Sequence, residues 1–446
     1  MYTYLTYLQV RQALAQRLGD VSNTFWLDAE LKLYVLEALR TWNAYATYWR
    51  DRGTFNTAAA TPFYDVTVQM SSILGMTVTD RALITDLQYA LMEATSNGST
   101  WPGTDQFTFT AVQNAIQRRR DQFLLETAAV LTHSNINVPP TPIGRVPLSD
   151  TILEVRRAAW ISLDSNGNPS TAYPLVRADE LQFDYGASTW DTDPDTPSWY
   201  STIVAPPLTV QLSPVPLDKG TLDLLTINAG ADLDPATAAT VLGIPDDFAW
   251  VVKYGALADL LGQDGQARDP DRATYCESRW TEGLELARIS PSVILASLQG
   301  INNLMDDLWS LDRAIPDWQS ASSVPSVIAT AGRNILAVGI MPDAGPYSIT
   351  CDVVRNAPIP VNDSDSIQLG RSEVDVVLDY AEHLAAFKMG GAEWKATNRA
   401  AVNMTRAAAQ YNDRLNASAL FKNILWPSVY RYRRDVPERQ SEGVAQ

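Results

Sequence analysis

The chain is poor in the residues most chemistry depends on. It has two cysteines, Cys276 and Cys351, and two histidines, His133 and His383, in 446 residues. Two distant thiols cannot build a disulfide framework or, alone, a zinc site, so both are expected as reduced core cysteines. Basic residues are also short, 34 against 51 acidic ones, for a net charge of -17. That balance disfavours a protein that grips nucleic acid by neutralising phosphates. Apolar runs fall well short of the roughly 18 residues that span a membrane. The N-terminal stretch has no basic region leading into an apolar one, so no secretory signal is read there. A soluble protein made in a reducing cytosol is the expectation.

Recognisable catalytic motifs are missing too. The chain contains no G-x-S-x-G elbow, Walker A loop, Rossmann fingerprint or H-E-x-x-H helix. A Ser-His-Asp or Cys-His arrangement would have to use His133 or His383. The first falls at a predicted helix C-terminus, where the dipole favours it, and the second lies within a predicted helix. The segment DTDPD at 191–195 opens like a calcium loop, but loop positions six and twelve are Thr196 and Thr202 instead of Gly and Glu. It reads as an exposed acidic loop. No catalytic, cofactor-binding or metal residue is assigned, no cofactor is expected, and the chain reads as a non-enzyme.

What is present is a chain that is 46% hydrophobic and 19% charged, enough for several cores at about 150 residues per domain. Tyrosine (18) and tryptophan (13) each outnumber phenylalanine (10). Amphipathic rings suit protein interfaces, where one edge is buried and the other stays wet.

The patterning predicts an α+β fold, mainly helical overall: an N-terminal helical bundle followed by two β-hairpin-plus-helices modules. Residues 1–150 read as a helical domain, with helices at about 6–18, from Asp28 to about Trp49, from Thr79–Asp80 onward and at about 110–131, and one short strand at 63–68. In the second, Leu31, Val35, Ala38, Leu39, Trp42, Ala46 and Trp49 form one stripe, and Asp28 is the expected N-cap. The proline-rich segment 138–142 marks a boundary. Residues 151–290 form a β-rich and helical module: a strand at 152–163, a hairpin of 208–212 with 222–227, then helices at about 247–261 and 269–286. Residues 291–325 read as a connecting helix carrying Leu295, Leu298, Met305 and Leu308, then a polar linker. Residues 326–417 repeat the middle region: a hairpin of 335–340 with 349–354 and helices at about 372–388 and 393–415. Tyr254 aligns with Tyr380 at an offset of 126, and the hairpins align at 125 or 126. Residues 418–446 are an extended polar tail.

Two basic clusters are candidate contacts. Arg118, Arg119 and Arg120 sit within a helix and span too much of its circumference to be buried together. They offer a solvated face, or a contact to an acidic neighbouring subunit or to phosphate. In the tail, Tyr430, Arg431, Tyr432, Arg433 and Arg434 alternate residue types that dominate interface hot spots.

The N-terminal pattern is LAQRLGD at 14–20, TFWLDAEL at 24–31 and VLEAL at 35–39. It resembles the opening of head–tail connector (adaptor) proteins of tailed bacteriophages. Leu27 stands where that family has a Ser/Thr cap, and Leu36 replaces its usual asparagine. TPSWYS at 196–201, LTVQL at 208–212, GTLDL at 220–224 and IPDDF at 244–248 are also similar to strand regions and helix starts of phage structural proteins. The chain is more than twice the length of many small connectors. The resemblance implies a structural virion protein of the neck: an adaptor ring, commonly of twelve subunits, beneath the portal, with DNA passing through without specific binding. An acidic ring would keep such a channel slippery. Implied partners are copies of itself, the portal protein and downstream tail or nozzle proteins, with no membrane. The protein would be made in the host cytoplasm and reside in the virion at the neck/tail junction. Trp190, Trp199, Tyr200, Trp318 and Trp426, with the three arginines, are candidates for the subunit faces, and Tyr430 to Arg434 for portal docking. The alternatives are a tail-completion, tail-tube or nozzle protein, or a virion glycan-degrading enzyme with a carboxylate pair. A host-recognition module would need a more β-rich fold.

Overall fold

The computed structural model describes residues 4–417, apart from 94, 102–105, 140–143, 187–188, 205–207, 299–303, 306 and 344. The chain opens with helices α1 (Tyr7–Arg17) and α2 (Asp28–Ala46), strands β1 (Arg50–Asn56) and β2 (Phe63–Asp65), and helical turns α3 (Val66–Gln69) and α4 (Ser71–Leu74). Next come α5 (Asp80–Ala90), α6 (Phe109–Thr127), β3 (Thr132–Val138), β4 (Arg145–Pro147), β5 (Ile152–Leu163), β6 (Pro169–Pro174), β7 (Val176–Arg177), α7 (Glu180–Gly186), β8 (Trp199–Ile203), β9 (Thr209–Ser213) and β10 (Gly220–Asn228). A 3-10 turn (Asp246–Phe248) leads into α8 (Ala249–Gly262) and α9 (Pro270–Ile289). The last third holds β11 (Val293–Leu298), β12 (Leu304–Met305), α10 (Leu308–Ala314), β13 (Ser322–Ser323), β14 (Val327–Ala331), β15 (Ile335–Gly339), β16 (Met341–Pro342), β17 (Ser348–Val354), α11 (Arg371–Phe387), α12 (Gly391–Ala396) and α13 (Asn398–Ala417). Helix and sheet together make an α+β fold, with helix the larger share.

Four of the five sheets among the described residues form two matching pairs, the two-stranded β13-β16 sheet standing apart. The order β12-β14-β15-β2 corresponds to β7-β8-β9-β4, and β1-β17-β11 corresponds to β3-β10-β5 with β6 added. The first pair matches in direction as well: β12 and β7 lie parallel to their neighbours while the other pairings are antiparallel. Single hydrogen bonds repeat. The amide of Tyr7 donates to the Asp365 carbonyl and that of Asp80 to Thr240. Likewise Ile367 donates to Leu5 and Leu242 to Val78, and Val338 donates to Pro62 and Leu212 to Gly144. Helices α1 and α5 both open on a threonine N-cap, Thr6 and Thr79. Helices α2 and α6 are both 19 residues long and both end on a left-handed residue, Thr47 and Ala128.

The molecule is therefore a duplication, and the copies are nested. The second copy is continuous, α5 through α9. It is inserted into the first, which begins with α1, α2, β1 and β2 and resumes at β11. Two β-sandwich cores result, one per copy: Phe55, Tyr64, Leu336, Val338, Ile349 and Cys351 fill one, and Val146, Trp160, Val210, Leu212, Leu222 and Leu224 the other. A single helical core running from Tyr7 to Ala408 joins them. Close approach of α8 to α9 depends on two glycines. A Cβ on Gly255 would lie 2.6 Å from the Trp280 ring, and one on Gly283 2.4 Å from Val251.

Several expectations are corrected. The helix expected from 290 is instead β11, β12 and the short α10. Its Val-Ile-Leu run is β-branched and apolar, and β17 offers it a sheet edge. The two expected hairpins are not hairpins. Strands β9 and β10, like β15 and β17, enter different sheets, so the proline-containing turns are sandwich corners. Among the described residues of 1–150 there are four strands beside the helices. Strands β1 and β3 escape notice because their outward faces are polar, as in RDRGTFN and THSNINV. The fourth helix stops at Thr127, so His133 lies in β3 and not at a helix end. The strand expected at 63–68 turns helical at Val66 under the Asp65 cap. Asp28 is the first helical residue after the N-cap Leu27, which makes no side-chain cap. Asp20 instead accepts from the amides of Thr24, Phe25 and Trp26 just upstream. Ladders β1–β17 and β3–β10 cross the sequence positions 150 and 290.

Candidate assembly interface

The joint between the two copies holds a cluster of buried charges, among them Glu37, Asp223, Asp247, Lys253 and Arg279. At its β end, Arg157 on β5 of the second copy reaches Asp312 of the first at 2.7 and 2.8 Å. It also donates to Gln319 Oε1 at 2.8 Å and to Asp223 at 3.3 Å. Gln319 donates to Asp223 at 2.9 Å, and His133 Nε2 lies 2.5 Å from the same carboxylate. The Trp318 indole donates to Asp312 at 2.9 Å and lies under the Arg157 guanidinium, 5.6 Å from ring centre to carbon. Every charge there is paired, as burial requires.

At the helical end, Lys253 on α8 meets Glu37 on α2 at 2.5 Å and Asp86 on α5 at 2.9 Å. Burial works against the lysine charge, and the two carboxylates outweigh it, so its pKa is raised. Arg279 on α9 donates to Tyr380 (2.6 Å), Tyr45 (3.1 Å) and Glu282 (2.5 Å), and stacks on Trp250. Asn43 on α2 donates to Asp247 at 2.5 Å, and the Ala357 amide donates to it at 3.0 Å. Burial nevertheless pushes the Asp247 carboxyl up to about 6. His383 bridges Tyr275 and Thr397, each at 2.8 Å, and burial, with the Arg279 charge, lowers its pKa to about 4.

The expected interface residues scatter. Arg118 and Arg119 pair within the chain, both with Asp259 and the latter also with Glu277. Burial opposes the Arg119 charge, and these carboxylates raise its pKa. Arg120 is interior and donates to the Ala231 carbonyl at 2.6 Å and to Asp121. Tyr200 and Trp318 are buried, and so are not available on the surface of this chain. Trp318 lies instead inside the chain, at the internal joint. Trp190 and Trp199 are half-buried and pack on Phe183. Trp426 and Tyr430, Arg431, Tyr432, Arg433 and Arg434 lie outside the described residues.

Sequence reasoning missed Arg157, Asp312, Lys253, Glu37 and Arg279. One signal for the joint was available. Asp312 and Trp318 are six apart, and so are Asp184 and Trp190 at the corresponding place in the second copy. The second pair makes the same indole-to-carboxylate bond at 2.9 Å.

Other chemistry is sparse. A small pocket of about 20 Å³ beside Asn43, Asp247, Arg333 and Asn334 has room for one water. Among the described residues no group of three or more His, Cys, Asp or Glu side chains is placed to hold a metal ion. Both thiols are buried, and burial raises the pKa of each, that of Cys351 to about 12. Among the described residues no helix is long and apolar enough to cross a membrane. No family model matches the chain, and no curated protein matches it.

Proposed function

We propose that this protein is a structural component of a phage particle: a head–tail adaptor that forms a ring beneath the portal and lines the DNA channel of the neck, without catalysis. The observation that carries the reading is the internal joint. One copy of the fold seats on the other through two dissimilar faces, and dissimilar complementary faces are what closed rings are built from. The N-terminal resemblance to connector proteins and the net charge of -17 support it, since an acidic wall repels DNA instead of holding it. The two β-sandwiches favour a second reading within the same class, a tail-completion or nozzle protein.

The test is native mass spectrometry and negative-stain imaging of the purified chain mixed with portal. Rings carrying many copies per portal are expected. One-to-one complexes overturn the ring, and absence of the chain from finished particles overturns the virion role.

A further inference from the structure

The joint between the copies is directional. The second copy contributes the outer face of the β3-β10-β5 sheet together with α8 and α9, and the first contributes α2, the end of α11 and the α10 segment. Under a two-fold relation each contact would recur with the roles exchanged. Glu37–Lys253 would then recur as Arg118–Asp379, their equivalents at offsets of 81 and 126. Instead Arg118 pairs with Asp259 and Asp379 with Arg17, both inside their own copies. The packing is heterologous, so one face of each kind is left over.

Among the described residues both leftover faces are open. On the second copy, the latch of Asp184 and Trp190 corresponds to Asp312 and Trp318. Asp312 is closed over by Arg157, whereas Asp184 is exposed, beside Leu181 and Tyr185 at 70% and 94% exposure. On the first copy, seven of nine β10 residues are buried, but its counterpart β17 alternates, and its outward side shows Thr350 and Asp352. Arg52 stands on that side, held by Asp352 as Arg157 is held by Asp223. Beside it α11, α13 and α2 form a groove lined by Glu373, Val376, Ala407, Gln410 and Asp413. Ala407 and Gln410 correspond to Arg279 and Glu282, the residues that meet Tyr45 at the internal joint.

We infer that a second copy of this chain docks there, head to tail, repeating between chains the joint that holds the two copies together within one. The Asp184–Trp190 latch and the outer face of α6 seat on the β1-β17-β11 sheet and the α11–α13 groove of the next chain. The charges complement each other. Inside the chain Glu37 meets Lys253; between chains Arg118 meets Asp379, the same pair with signs exchanged, at 63% and 48% side-chain exposure. Each chain then counts as two repeats of the assembly.

This inference deepens the assembly reading above, and its test uses the full chain alone, so its failure leaves portal docking to its own experiment. Sedimentation velocity and native mass spectrometry on wild type should show a chain-length distribution growing with concentration up to about 200 µM. One variant, Asp184→Arg with Tyr185→Glu, blocks the first face. Another, Arg52→Glu with Gln410→Arg, blocks the second. Each alone should be monomeric, and an equimolar mixture should stop at dimers. Wild type that stays monomeric, single-face variants that still pair with themselves, or a mixture that stays monomeric each overturn the proposal. Should a double variant misfold, Arg118→Glu is expected to weaken association about tenfold and to be restored in trans by Asp379→Arg. No restoration has the same consequence as a monomeric wild type.

Discussion

Lys253 is the sharpest place to test the energetics of the joint. It is a buried ammonium between Glu37 and Asp86, contributed by both copies. At an effective dielectric of about 20, each contact is worth roughly 6 kcal/mol of attraction. Desolvation of three charges cancels much of that, at several kcal/mol per ion. Lys253→Met keeps the bulk but leaves two carboxylates buried without a counter-charge, and the expected loss is about 3–5 kcal/mol. Equilibrium urea unfolding followed by tryptophan fluorescence reads it, since the helical core and the second copy's sandwich carry tryptophans. The triple variant Lys253→Met, Glu37→Gln, Asp86→Asn removes all three charges and is expected to regain at least half the loss. A single variant within about 1 kcal/mol of wild type would falsify the view that the joint depends on paired buried charge.

Burial raises the Asp247 pKa from 3.8 to about 6. Protonation therefore favours the folded state, and this stabilisation, complete below pH 4, is lost as pH rises through 6, about 3 kcal/mol in all. Relative to wild type, Asp247→Asn should gain stability between pH 4 and 6 in denaturant titrations, and a flat difference would refute the assignment. His383 has the opposite sign. Its neutral form contributes stability present above pH 6.5 and lost as pH falls through about 4, so His383→Gln should lose less than wild type on acidification over that window. Deleting residues 427–446 should abolish portal docking and leave the unfolding transition unchanged. Replacing Arg431, Arg433 and Arg434 by Ala should weaken docking more at low salt than at high salt, and equal losses would point to packing instead.

Helix positions were legible where the apolar stripe was strong, as with α2, or where a cap was present, as with α1 under Thr6 and α9 under Asp269-Pro270. The offset of 126 was legible because Tyr254 and Tyr380 sit at the same turn of corresponding helices. Its partner offsets of 73 to 82 near the N-terminus were not. There the repeat is carried by size alone, with Leu31, Val35 and Trp42 answered by Val112, Ile116 and Phe123. Polar strands such as β1 gave no alternation to read until β17 supplied an edge. Trp318 and Tyr200 were singled out as surface aromatics because no local stripe accounts for them; both are buried by elements distant in sequence.

Composition alone settled the general chemistry of this chain: acidic, histidine-poor, with thiols too few to scaffold anything. Periodicity found most of its long helices and one half of its duplication. Only the tertiary structure decided that the repeats are nested, that the turns are corners between sheets, and that the buried charges meet across one directional joint. The physical reason is that local spacing encodes which face a residue turns inward. Which partner covers that face is fixed by contacts hundreds of residues apart, such as Arg157 with Asp312 and Lys253 with Glu37.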